Sequence, residues 1–304
     1  MPIAFINSFQ IDRRLFRAEI RASLAHAEGL FRAAILTRQE AERIKNGLWT
    51  ILKRADYDRH YFDALPSPDV FAFVEARLFQ LISESAAKLK IGRSREHQTA
   101  VALRLWLRDE IQQILELVEH LEEILQSSKN PIFAAFFEMF DRDREILGEV
   151  LRRTNCLPHI EFAPQPDESL TEIDFSEIAR DLGFASLAHN AFESAADRDF
   201  CLEFVGVSAF IMLHLARLAN ESLNHFALAE DARSAFAVMR AKSGKIFGHQ
   251  TALFSILKTA PLADAKDYQE MNPIVFETAD LTKDCLQMTT GVVENLNFQI
   301  ALSR

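Results

Sequence analysis

Leu107, Ile111, Ile114, Val118, Leu121 and Leu125 follow one another at spacings of four, three, four, three and four residues. A seam with that alternation runs along one side of an α-helix and does not match the period of two that a strand needs. It lies within Thr99 to Gln126, a stretch with no Gly or Pro, so the reading is one long helix. A helix of that length needs long neighbours to cover its seam. With only nine Gly and nine Pro in 304 residues, the rest of the chain has few points at which to turn. The fold class is therefore all-α, with long helices able to form a bundle.

Other segments agree. Residues 12–34 have helical spacing, and Thr37 with Glu40 forms a capping-box pattern that starts a second helix through Leu52. Residues 54–68 are turn-rich, a helix runs from Asp69 to Lys88, and Lys90 to Glu96 reads as a loop. Pro131 breaks the chain before a helix over Ile132–Arg152, whose Phe-rich start reads as packing. Residues 155–169 hold three prolines and form the clearest loop. A short helix over Thr171–Gly183 ends with Gly183 at a C′ position. Helices over 197–228 and 234–260 follow, then a final one near Pro273–Leu296. Glu116, Glu119, Glu122 and Glu123 fall off the seam and read as a solvated face.

The net charge of −10, without a basic block, argues against nucleic-acid binding. The N-terminus has neither the charged region nor the apolar region of a signal peptide, which points to a cytoplasmic protein. The most apolar run, Phe200–Leu218, includes Glu203, His214 and Arg217, so it reads as a helix buried in a bundle and not as a membrane span. Cys156, Cys201 and Cys285 have no metal-type spacing and read as reduced thiols. His214 on its apolar face reads as a satisfied core histidine, and the nine histidines show no metal-ligand spacing.

The stretch Gly92-Arg93-Ser94-Arg95-Glu96-His97-Gln98, followed by Arg104-Leu105-Trp106-Leu107-Arg108-Asp109, resembles the G-R-S-R-N-D-Q and R-L-W-L-R-D segments of the argininosuccinate lyase family. Ser23-Leu24-Ala25-His26 is similar to its S-x-A-H segment, and Asp69-Val70-Phe71 with Glu75 to its D-I-H and Glu. Leu182-Gly183-Phe184, Asn190, Asp197-Arg198-Asp199-Phe200, His214–Leu218 and Asp267-Tyr268-Gln269-Glu270 continue the likeness in order. The resemblance implies a fumarase/aspartase-like bundle with a helical N-terminal region over 1–98 and a long-helix region over 99–304. It also implies that the family's small C-terminal domain is missing. No cofactor or metal is expected. Homotetrameric assembly through the central helices is expected, with sites drawing on three subunits.

That family eliminates fumarate from an aspartate adduct. The reaction needs a base for the Cβ proton and groups that hold the charge of the intermediate. By resemblance, the base is a serine on a mobile S-S-x-M-P-x-K-x-N-P loop, and a Thr-His pair in T-H-L-Q serves the other side. Between Leu223 and Gly244 the chain has no Gly, no Pro and no Ser-Ser pair, and between Lys129 and Arg142 the Phe-rich segment stands where T-H-L-Q would be. Glu96 replaces the family Asn, and Phe71 its His. No catalytic residue is assigned. Ser23, Asp69, Ser94, Arg95, Asn190, Arg198 and Gln269 remain as substrate-binding candidates by resemblance, with Arg93 and Gln98 also retained.

Two readings follow. One is a catalytically silent homologue with a binding, scaffold or regulatory role, its partners a small amino-acid-like or carboxylate ligand, further copies of itself, or an active paralogue in a mixed oligomer. The other is an active lyase of amino-acid biosynthesis, with Ser234, Ser243 or His97 recruited as base. Arg93 and Arg95 either clamp an anion or pin their loop by bonding backbone carbonyls, or Asp or Glu at a subunit contact. His97 reads as an exposed loop histidine.

Overall fold

The structure, a computed structural model, describes residues 7–128, 130–158, 173–261 and 267–302. These are almost entirely helical: α1 (Phe9–Asp12), α2 (Phe16–Arg32), α3 (Arg38–Tyr57), α4 (Val70–Ile82), α5 (Arg95–Ser127), α6 (Pro131–Thr154), α7 (Phe175–Asp181), α8 (Ala191–Ala196), α9 (Asp199–His225), α10 (Glu230–Leu257) and α11 (Asp267–Leu302). Two-residue strands, β1 (Cys156–Leu157) and β2 (Ser186–Leu187), pair in parallel.

The chain divides into two compact units. The first comprises residues 1–107, 155–197 and 261–265, and the second residues 108–154, 198–260 and 266–304.

In the first unit the helix ends follow local chemistry. Thr37 Oγ1 accepts from the Glu40 backbone N–H while Glu40 Oε2 accepts from the Thr37 N–H, completing the expected capping box. Glu40 also takes Lys88 at 2.6 Å, and these bonds pull its carboxyl down to about 2. Asp69 caps α4 through the Ala72 N–H at 2.7 Å. That helix stops at Ser83, whose φ of 54° breaks the spiral, and a 3₁₀ segment replaces the expected continuation to Lys88. Gly183, at φ 70°, ends α7 in a Schellman motif: its N–H donates to Arg180 and that of Phe184 to Ala179. Two glycines allow close helix contact. A Cβ on Gly47 would stand 2.6 Å from Leu78, and one on Gly29 2.6 Å from Ile178. Phe9, Phe16, Tyr61, Phe62 and Phe73 form a ring cluster, with the Arg77 guanidinium 4.5 Å above Tyr61.

The second unit is the bundle. Ile111, Ile114, Val118, Leu121 and Leu125 of the α5 seam are completely buried, as is Leu107 at the end of the first unit. Helix α9 packs on α6, α10 and α11. It is the only described helix long and apolar enough to cross a membrane, and its buried face is the bundle core. The Phe-rich start of α6 is packing as expected, with Phe133 and Phe140 fully buried. The solvated face of α5 needs one correction. Glu122 is buried, because α6 covers it and supplies Arg144, whose Nε donates to it at 2.9 Å. Helix α11 begins six residues before Pro273, which lies inside it. Proline has no N–H, so the Gln269 carbonyl lacks the usual bond from four residues on.

Candidate functional site

Five of the seven candidate residues lie in the first unit, and Arg198 and Gln269 lie in the second. The first unit gathers most of its charge at one place. Ser23, on the buried face of α2, donates to Glu19 Oε1 at 2.6 Å and accepts from Arg93 Nη1 at 2.8 Å. Arg93 Nη2 lies 3.4 Å from Glu19 Oε2, and both side chains are at most 3% exposed. Burial pushes the Glu19 carboxyl up, and Arg93 and the Ser23 hydroxyl pull it back down. Alongside, His26 Nε2 donates to the Ile91 carbonyl at 2.8 Å, and burial followed by Arg93 drives its pKa well down. A neutral imidazole results.

Arg95 continues the network. Its Nη2 donates to Glu75 Oε1 at 3.0 Å, its Nη1 stands 3.7 Å from Asp69 Oδ1, and its guanidinium lies 5.3 Å above the Phe71 ring. Glu75 also takes Lys90 at 2.8 Å. The structure thus brings Ser23, Asp69 and Arg95 into one polar cluster, in which Arg93 and Arg95 are both paired with carboxylates.

Glu19 was not among the sequence candidates. The available signal was its place four residues before Ser23, on a face otherwise made of Phe16, Ile20, Ala27 and Leu30. A carboxylate on such a face requires a buried partner.

Three candidates share another job. Ser94 Oγ accepts from the His97 N–H, Asp69 from Ala72 and Asn190 from Glu193, each at the third residue of its helix. All three are helix N-caps. Arg95 and His97 consequently stand on the first turn of α5 and not in a loop. His97 is also not exposed: it is 6% accessible, its Nε2 donates to the Pro158 carbonyl at 3.2 Å, and its ring meets Phe175 edge-on.

In the second unit, Arg198 precedes α9 with its guanidinium 4.4 Å over Tyr268, and Gln269 follows on the first turn of α11, half-buried. Ser243 donates to the Arg240 carbonyl at 2.7 Å, which holds its proton within the helix. His214 is the satisfied core histidine expected, 2.6 Å from buried Asp143, whose carboxyl burial pushes up against the pull of His214. Among the described residues, no three His, Cys, Asp or Glu side chains converge as a metal site.

The segments aligned with the family's catalytic elements are mostly helix. Residues 131–142 open α6, and residues 223–244 comprise the end of α9, the connection Phe226–Ala229 and the first half of α10.

No family model matches the chain. Among curated relatives, an argininosuccinate lyase from Desulforudis audaxviator is 34% identical over 337 residues, covering 97% of this chain and 72% of that protein. The chain belongs to the argininosuccinate lyase family. A second lyase of that name, from Moorella thermoacetica, is 32% identical over 341 residues, 99% of this chain and 73% of its own length. Both spans exceed the 304 residues here, so the Desulforudis protein carries at least 33 residues within its span that this chain lacks (337 against 304). Solved structures agree on the all-α fold of the fumarase/aspartase superfamily. An EDDS lyase in complex with formate matches with a TM-score of 0.74 at 20% identity, over 93% of this chain. The chain spans 63% of the length of that protein. A fumarate lyase from Mesorhizobium sp. BNC1 matches with a TM-score of 0.75 at 16% identity, over 92% of this chain and 72% of that one.

Proposed function

We propose that this lyase-family chain is catalytically silent and acts through binding, as a scaffold or as a regulatory partner. The observation that carries the reading is that residues 131–142 and 230–244, which stand where the resemblance puts the Thr-His block and the serine-bearing lid, are continuous helix, with only Phe226–Ala229 between α9 and α10. Four residues are too few for such a lid. We place there the internal residues by which the relatives are longer.

The polar cluster supports the same reading. Arg93, Arg95 and Lys90 meet Glu19, Asp69 and Glu75, three cations against three carboxylates, so no net positive charge is left to draw in a succinyl dianion. Glu96, half-buried beside Arg95, adds repulsion. Two of the three bases an active enzyme would recruit are committed elsewhere, since His97 is turned inward and Ser243 holds its own helix, and the third, Ser234, is exposed on α10. What Arg95, 37% exposed, can still offer is one guanidinium face to a single carboxylate or an amino-acid-like ligand.

Assembly belongs to the proposal too. Phe210 and Leu213 on α9, and Val238, Phe247 and Phe254 on α10, are exposed apolar side chains, and burying them suits a homotetramer or a mixed oligomer with an active paralogue in the cytoplasm. The test is to incubate the purified chain with argininosuccinate and follow fumarate by its ultraviolet absorbance, with size-exclusion chromatography of the same sample. An oligomer without turnover is expected. Fumarate release that Arg95→Ala abolishes overturns the reading.

A further inference from the structure

A cavity of about 340 Å³ opens in the second unit between α10 and α11; none of the substrate-binding candidates lines it, and Ser234 does. Three of its lining side chains carry sulfur: Met239 on α10, and Cys285 with Met288 on α11. Cys285 and Met288, three residues apart, share one face of α11, and Met239 comes from the helix packed against it. Met239 is 1% and Cys285 2% exposed, and the thiol lines the cavity without a hydrogen-bond partner among the described contacts. Val238, 56% exposed, stands at its open edge. Lys242 and Asp284 also line it, and Asp284 is its one carboxylate.

We propose that Met239, Cys285 and Met288 form a binding site for a soft monovalent metal cation of the copper(I) or silver(I) class. One thiolate and two thioethers are the donor set such ions select, while hard divalent cations require six or more oxygen ligands and this cavity offers only the Asp284 carboxylate and the Ser234 hydroxyl. Methionine is unbranched and adaptable, so its sulfur can swing toward an ion without moving the helix. On binding, the Cys285 S–H bond breaks, a sulfur lone pair bonds the cation, and the proton leaves to solvent; no electron is exchanged. One positive ion with one thiolate is neutral overall, which suits an apolar pocket.

The test is a titration of the full-length Cys156→Ser chain, which removes the half-exposed thiol, with silver(I) in chloride-free buffer. One tight equivalent is expected. Met239→Leu and Met288→Leu keep volume and so keep the fold, and each is expected to weaken binding by about tenfold or more. Cys285→Ser is expected to weaken it by about 100-fold or more. A melting transition like that of the parent certifies each variant. Leucine variants that bind as tightly as the parent overturn the site, because the thiol would then be acting alone. An equivalent that survives Cys285→Ser, or no binding by the folded parent, overturns it as well. The leucine variants decide the matter even if Cys285→Ser does not fold.

Discussion

The two units of this chain bury charge in different ways. In the first, Arg93 and Glu19 are both almost wholly enclosed, and Ser23 bonds each of them. In the second, the deeply buried carboxylate Asp143 faces a neutralisable partner, His214, and burial raises its pKa. A guanidinium cannot release its proton to escape burial, whereas an Asp–His pair can shift one. The first arrangement therefore depends strictly on Glu19 as the counter-ion of Arg93, and the second is forgiving. Ser94 and Asn190 of the family motif cap helices in the first unit, and the connection between α9 and α10 in the second is four residues long.

The largest effect should come from breaking the enclosed pair. Glu19→Ala leaves Arg93 buried without its carboxylate, and because a guanidinium cannot shed its charge it is expected to cost about 3–5 kcal/mol in denaturant unfolding. A loss below about 1 kcal/mol would mean that water reaches Arg93. His214→Ala, the parallel cut in the second unit, should cost less, about 1–3 kcal/mol, because Asp143 can take a proton instead. If the two losses are equal, the contrast between the units fails.

Asn190→Ala and Thr37→Ala remove helix caps in the first unit and should each cost about 1 kcal/mol. Restoration of Asn190→Ala by Asp or Ser, with ligand binding unchanged, would fix its role as structural. Arg95→Ala should be the mildest, about 0–1 kcal/mol, because its pair is partly exposed and screened.

A pH titration sharpens the comparison further. His26 and His249 both have lowered pKa values, chiefly through burial. The unfolded chain takes up protons on these histidines below about pH 6.5 while the folded chain does not, so stability should fall as the pH drops through that range. Glu19, whose pKa is raised, acts in the opposite sense: its contribution falls as pH rises from the ordinary carboxylate range to its folded value. Melting temperatures of His26→Gln between pH 7 and 5 should show a shallower loss than the parent. An identical slope would remove His26 from this account.

Much of the fold was legible because its signals are local. The α5 seam, the Thr37–Glu40 box and the Gly183 stop each act through neighbours within one or two turns. The errors have a shared cause. The pattern of residues 90–96 suggests a loop leading to a helix at Thr99, yet α5, capped by Ser94, begins four residues earlier at Arg95, which puts Arg95 and His97 on the helix. The six-residue α8 is too short for periodicity to reveal. Glu122 and His97 were assigned to solvent because nothing near them in sequence covers them; α6 and Pro158 do so in space.

The sequence by itself determined the helices and the family, since periodicity and motif order are properties of the chain. Only the tertiary structure decided that Arg93 belongs to Glu19 and Arg95 to Glu75 and Asp69. Those partners lie 74, 20 and 26 residues away. A charge on a helix carries no label for its distant counter-ion, and burial, which makes the pairing obligatory, exists only once the helices have packed.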